Sequence, residues 1–238
     1  MRVLIVSDLH ANIEAIESLP SGYDQLWVLG DLVTYGPDPA KVIDFVRRNA
    51  SIVVRGNHDH SIGFGEDPRC SARFVSMAKE TGQHTLSILS GADRQYLRNL
   101  PLKATAQVAN TTFLLCHATP SDPLYEYRKE DSPLWFDDWA GSDADVVLVG
   151  HTHLPFARRI NERLIVNPGS VGQPKHGLPE ARYAIWEDGL LTLASASYPF
   201  EETIRKIQQM PLSREVQEDL ASVLRNGGVG KSRQPVEK

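Results

Sequence analysis

Five short apolar runs in this chain each end on an aspartate, an asparagine or a histidine, and this repeated ending limits the fold more than any other feature. The run from Arg2 to Val6 ends in Ser7-Asp8-Leu9-His10, and the run from Gln25 to Leu29 ends in Gly30-Asp31. Ile52 to Val54 leads into Arg55-Gly56-Asn57-His58-Asp59, Thr111 to Leu115 into Cys116-His117, and Val146 to Val149 into Gly150-His151-Thr152-His153. Runs of this length, rich in Val, Ile and Leu, are strand-sized. The first three alternate with helical spacing: Ile13, Ile16 and Leu19 ahead of Pro20, then Val42, Phe45 and Val46 after an Asp38-Pro39 start. Strands alternating with helices imply parallel βαβ units. A parallel sheet gathers its strand tips on one rim, where open α/β proteins bind ligands.

Further along, residues 72–89 read as a long helix with a break near Gly82, and 92–100 as a helix stopped by Pro101. Three hairpins are then expected, turning at Ala109-Asn110, Asn161-Glu162 and Asp188-Gly189, the last carrying the strongest hairpin signal. Helices over 200–210 and 213–225 follow. No repeat or linker divides the chain, so residues 1–225 are expected to form a single domain and 226–238 a flexible tail. The irregular stretch 121–138, with Tyr125, Tyr127, Trp135 and Phe136, reads as an inserted lid or as local packing. Gly227 to Ser232 has the look of a phosphate-binding loop, but Arg225 stands where that pattern needs glycine, and no helix follows.

Composition narrows the partners. Twenty-five Lys and Arg against 30 Asp and Glu leave a net charge of −5, which disfavours general nucleic-acid binding. No apolar run approaches the ~18 residues of a membrane span. Nothing resembling a signal peptide precedes Arg2, so a cytoplasmic protein is expected. Cys70 and Cys116 form no Cys-x-x-Cys pair and read as buried apolar residues.

The polar residues at the strand tips form a coherent donor set: Asp8, Asp31, Asn57, His10, His117, His151 and His153. Any one of them alone reads more simply as a turn former; it is their joint occurrence that points to metal. Mixed N and O donors suit Mn, Fe, Zn, Ni or Co. Seven exceed the needs of one ion and fit two ions sharing a bridge. His60, His84 and His176 read as surface or surrounding groups.

Taken in order, Asp8-Leu9-His10, Gly30-Asp31, Gly56-Asn57-His58-Asp59, Cys116-His117 and Gly150-His151-Thr152-His153 resemble the five motifs of the calcineurin-like metallophosphoesterases. Asn167-Pro168-Gly169-Ser170-Val171-Gly172-Gln173-Pro174 is similar to a loop of the small bacterial and archaeal phosphodiesterase branch. The resemblance implies a four-layer α/β/β/α sandwich of two mixed sheets flanked by helices. It implies two divalent metals, manganese foremost with Fe, Zn, Ni or Co as alternatives. Asp8, His10, Asp31 and His153 would hold the first ion, and Asp31, Asn57, His117 and His151 the second. His58 would act as general acid toward attack by a bridging hydroxide, Asp59 would orient it or a neighbour, and Arg55 would bind phosphate.

The chain departs from the protein phosphatase branch at its second motif. There Thr34 is not expected to hold a histidine as aspartate would, nor Tyr35 to clamp phosphate as arginine would. The expected activity is therefore hydrolysis of small phosphoric esters, diesters before monoesters. The alternatives are a phosphomonoesterase or protein phosphatase, and a catalytically silent metal-bearing scaffold. A homo-oligomer stays open.

Overall fold

The computed structural model describes residues 1–138 and 142–228. The first half runs β1 (Arg2–Val6), α1 (Ile13–Glu17), β2 (Gln25–Val28), α2 (Pro39–Asn49), β3 (Ile52–Val53), α3 (Asn57–Phe64), α4 (Val75–Ile88) and α5 (Gly91–Asn99). The second half runs β4 (Lys103–Val108), β5 (Thr111–Cys116), α6 (Trp135–Asp138), β6 (Val146–Leu148), β7 (Phe156–Ile160), β8 (Arg163–Asn167), β9 (Glu180–Glu187), β10 (Leu190–Ser197), α7 (Phe200–Ile207) and α8 (Arg214–Asn226).

Two five-stranded mixed sheets result, ordered β10-β9-β1-β2-β3 and β4-β5-β6-β8-β7. In the first, β1, β2 and β3 are parallel and β9 pairs antiparallel with β1. In the second, β5, β6 and β8 are parallel, with β4 and β7 antiparallel at the edges. Side chains alternate faces along a strand, and the core divides accordingly. Val3, Ile5, Trp27 and Leu29 meet Phe113, Leu115, Val146 and Leu148 between the sheets. Leu4, Val6, Leu26 and Val28 face Ile13, Ile16, Val42, Ile43 and Val46 of the helices. The outer face of the second sheet is covered by the 121–138 stretch, whose buried Trp135 joins Val147, Val149, Phe156 and Ile165. This outer layer is thin, since its α6 has only four residues. The stretch is also internally tied: Arg128 pairs with Glu126 and lies over the Trp135 ring at 4.8 Å.

Several elements differ from expectation. Helix α3 follows β3 directly, where only a strand tip was expected. Gly56 caps it, and Asp59 at the third helical position accepts the Gly56 amide at 3.0 Å. Helix α4 passes through Gly82 without a break, because burying Met77, Ala78, Thr81 and Thr85 outweighs the ~1 kcal/mol penalty of a helical glycine. Helix α1 is shorter than expected, starting after Asn12, whose Oδ1 accepts the Ala15 amide. The first residues of the expected tail from 226 are part of the fold. Asn226 closes α8, and Gly227 (φ +63°) lies so close to the Leu178 backbone that a Cβ would overlap it. Residues 229–238, the rest of that tail, lie outside the described residues. Among the described residues, no helix is long and apolar enough to cross a membrane.

Candidate metal centre

The strand tips do converge. Asp8 and His10 follow β1, Asp31 follows β2, His117 follows β5, and His151 and His153 follow β6. Asn57 enters instead from the first turn of α3. All seven are at most 2% exposed. Five of them, Asp8, His10, Asp31, His151 and His153, have positive φ between +42° and +63°. Of the twelve non-glycine residues with positive φ among the described residues, eight lie in these loops, Ala11, Thr34 and Tyr35 among them. Such backbone costs L-residues roughly 1–2 kcal/mol each, and strain of this kind concentrates at functional sites. It turns each side chain off the strand axis into a common space. The loops also interlock tightly: a Cβ on Gly56 would overlap the Asp31 carboxylate, and one on Gly150 would overlap Ser7 Oγ.

Four imidazoles are locked by backbone carbonyls. His10 Nδ1 donates to Val33 O (3.2 Å), His117 Nδ1 to Leu29 O (2.8 Å), His153 Nδ1 to Gln173 O (2.6 Å) and His151 Nε2 to Tyr125 O (3.3 Å). Each ring therefore turns its other nitrogen into the centre, as a lone pair on the neutral His10 and His151, while Asp31 holds a proton on His117 that a cation would displace. Carbonyl partners that fix tautomer and orientation are the usual support of metal-binding histidines.

Those nitrogens face acceptors. His10 Nε2 lies 3.3 Å from His153 Nε2, and His153 Nε2 lies 3.2 Å from Asp8 Oδ1, a buried oxygen that accepts no hydrogen bond. His117 Nε2 lies 3.0 Å from Asn57 Oδ1, whose amide nitrogen is turned away to Pro68 O. Acceptors held against acceptors in a buried space call for cations between them. Two groups fit: Asp8, His10 and His153, and Asp31, His117 and His151, each with its ligand atoms within 4.8 Å of one another. Asp31 Oδ2 stands between the groups, 3.7 Å from His10 Nε2 and 3.4 Å from His117 Nε2, while its Oδ1 accepts the His58 amide at 2.9 Å.

Charge states agree with this. Burial pushes His10 and His151 well below the ordinary imidazole value, which leaves them neutral and able to ligate. Burial alone would raise the Asp8 and Asp31 carboxyls, but the facing histidines, His153 foremost for Asp8 and His117 for Asp31, hold both ionised.

The residues around the donors partly depart from expectation. His58, 4% exposed, receives support from Thr34 after all: Thr34 Oγ1 lies 2.8 Å from His58 Nδ1. Tyr35 packs its ring 4.8 Å from both His10 and His58. Asp59 does not touch His58; its two oxygens accept the Leu32 and Gly56 amides, joining the Asp31 loop to the start of α3. It is a positioning residue, its carboxyl raised to about 7 by burial and by Asp31. Arg55 gives its guanidinium to Arg98 O (2.7 Å) and lies over the Phe64 ring, so its tip is engaged away from the seven donors. His60 stacks on Phe64 and His176 accepts from Arg182, neither reaching the centre. Sequence reasoning missed Lys175, which follows no strand tip. Its charge is felt by His58, His151 and His153. From the 121–138 stretch, Tyr127 sets its ring 4.0 Å from His151.

A pair of packed mixed sheets with two His and Asp clusters at one rim is the frame of a candidate two-metal site. Residues 1–187 match the calcineurin-like phosphoesterase superfamily domain, and the chain belongs to that family. A metallophosphoesterase from Sphaerobacter thermophilus superposes with a TM-score of 0.76 at 30% identity, over 94% of this chain and 99% of that one. The uncharacterized protein MJ0912 of Methanocaldococcus jannaschii is 26% identical over 86% of this chain and 91% of its own length. The phosphodiesterase YfcE of Escherichia coli is 28% identical over 81% of this chain and 91% of its own length.

Proposed function

We propose that this chain hydrolyses phosphodiesters at a centre of two divalent metal ions. Asp8, His10, Asp31 and His153 would hold one ion, and Asp31, Asn57, His117 and His151 the other. The observation that carries this reading is the locked donor set: four imidazoles fixed by backbone carbonyls, with their second nitrogens turned on each other and on Asp8, Asp31 and Asn57 in a buried space. Two divalent cations, manganese foremost, supply Lewis-acid polarisation of the phosphoryl group and acidify the attacking water. The chain's own residues do the rest. Asp31 places one oxygen between the two groups and fixes the other on the His58 amide. Among the described residues His58 Nε2 has no hydrogen-bond partner, so a substrate can reach it, and once protonated the ring delivers that proton to the departing ester oxygen. Thr34 suits both charge states of that ring, because a hydroxyl donates to a neutral Nδ1 and accepts from a protonated one.

The diester preference is supported by the relative named a phosphodiesterase and by the turn of Arg55 onto Arg98 O. A monoester dianion favours several cationic clamps, whereas a diester carries one charge. The test is metal analysis of the purified protein, followed by turnover of bis(p-nitrophenyl) phosphate and p-nitrophenyl phosphate with added manganese. Near two metal equivalents and a faster diester are expected. A protein that takes up no metal, or binds it without turning over either ester, overturns the proposal.

A further inference from the structure

The two positions where a phosphate-binding cation was sought do not supply one at the donor cluster: Tyr35 occupies the first, and Arg55 is turned onto Arg98 O. A cation from another loop nevertheless acts on the centre: the charge of Lys175 is felt by His58, His151 and His153. Lys175 follows Gln173, whose carbonyl holds His153, so the strand-connecting loop that fixes a metal-site imidazole also delivers the lysine. Its Nζ lies 4.3 Å above the Phe74 ring. Phe74 abuts Tyr35 at 6.3 Å between ring centres, and Tyr35 abuts His58 and His10 at 4.8 Å, so the ammonium joins the centre through continuous aromatic packing. Among the described residues no hydrogen bond or ion pair engages this Nζ. The aromatic face steadies the ammonium from one side and uses none of its three N–H donors.

We propose that Lys175, steadied on Phe74, binds a non-bridging phosphoryl oxygen of the substrate and so supplies the anion contact that Tyr35 and Arg55 do not. The inference rests on the phosphodiesterase reading for its substrate, and a single ammonium suits the single charge of a diester. Burial lowers the Lys175 ammonium to about 8, with Asp8 and Asp31 opposing the shift, so it stays mostly charged at neutral pH. An unpaired, half-buried cation is costly unless an anion joins it, and the phosphoryl group is the anion that this centre would receive.

The experiment compares Lys175→Met and Lys175→Arg with the unchanged protein, all loaded with manganese. Three quantities are read: metal content, KM and kcat for bis(p-nitrophenyl) phosphate, and affinity for inorganic phosphate by equilibrium dialysis. Losing one charge-assisted contact raises KM and weakens phosphate binding by about tenfold or more in Lys175→Met. Metal content stays near that of the unchanged protein, kcat/KM falls with the lost contact, and Lys175→Arg recovers most of the affinity. Phosphate affinity and KM within about twofold of the original in Lys175→Met would overturn the assignment. So would a loss of metal, which would make Lys175 a prop for the loop. Should the unchanged protein hydrolyse no phosphoester, a selective loss of phosphate affinity in Lys175→Met would still sustain the anion site while the hydrolytic reading fell.

Discussion

Replacing Thr34 with valine isolates the hydrogen bond made to the ring of the proposed general acid. Thr34 is 1% exposed and its hydroxyl lies 2.8 Å from His58 Nδ1, so no water takes the place of the lost oxygen. Thr34 also sits at φ +69°, a strained setting for a β-branched residue. Valine keeps the branching and the strain, and changes only the polar contact. A buried ring nitrogen left without a partner costs about 1–2 kcal/mol. Expressed at the proton-transfer step, that is about 5- to 30-fold in kcat. The assay is steady-state kinetics on two diesters, one releasing nitrophenol and one releasing an alkyl alcohol, for Thr34→Val and Thr34→Ser. Valine is expected to lower kcat on the alkyl ester by this factor and on the nitrophenyl ester by much less, because an acidic leaving group needs little protonation. KM should hold steady, and serine should restore the rate. Equal defects on the two esters, or a serine variant as slow as valine, would refute the reasoning.

Asp31→Asn should abolish activity and lower metal content to one equivalent or less, whereas His10→Gln should retain more of both, since Asp31 Oδ2 alone stands between the two groups; metal analysis beside kinetics decides. Burial would lower His117, but Asp31 raises it to about 9 in the metal-free chain. Below that value the ring carries an extra proton that a cation must displace, so metal affinity should rise with pH up to about 9 and loading at pH 7.5 should release a proton; calorimetry in two buffers of different ionisation enthalpy reads it. Gly150→Ala forces a Cβ onto Ser7 Oγ beside Asp8, and should destabilise the fold by about 1–3 kcal/mol and weaken metal binding, as read by thermal melting and metal titration.

Much of this molecule was legible because its chemistry sits where local patterns are strongest. Each donor follows an apolar run, and the turns at Ala109, Asn161 and Asp188 all adopt the positive φ that hairpin turns require. Pairings between distant segments were not legible: nothing local says that β9 returns to the free edge of β1, with Val3 opposite Trp186. Helix α3 was missed because its start signal is a glycine cap with an acid three residues on, and that acid, Asp59, looked like a member of the site. Its carboxylate holds two loops together, a role visible only once Leu32 and Gly56 are side by side. Arg55 and Lys175 exchanged expectations for a similar reason. Adjacency to a motif in sequence says little about which way a long flexible side chain turns, and the arginine found a carbonyl while the lysine found a ring.

The left-handed backbone of the donor residues bears on how such a protein changes over evolutionary time. Asp8, His10, Asp31, His151 and His153 each hold a conformation that glycine or asparagine adopts with less strain. A lineage no longer under selection for hydrolysis can therefore exchange these residues one by one and gain folding stability at each step, while the sheets behind them stay intact. The slope from enzyme to inert scaffold runs downhill, and only selection for turnover keeps a chain at the top.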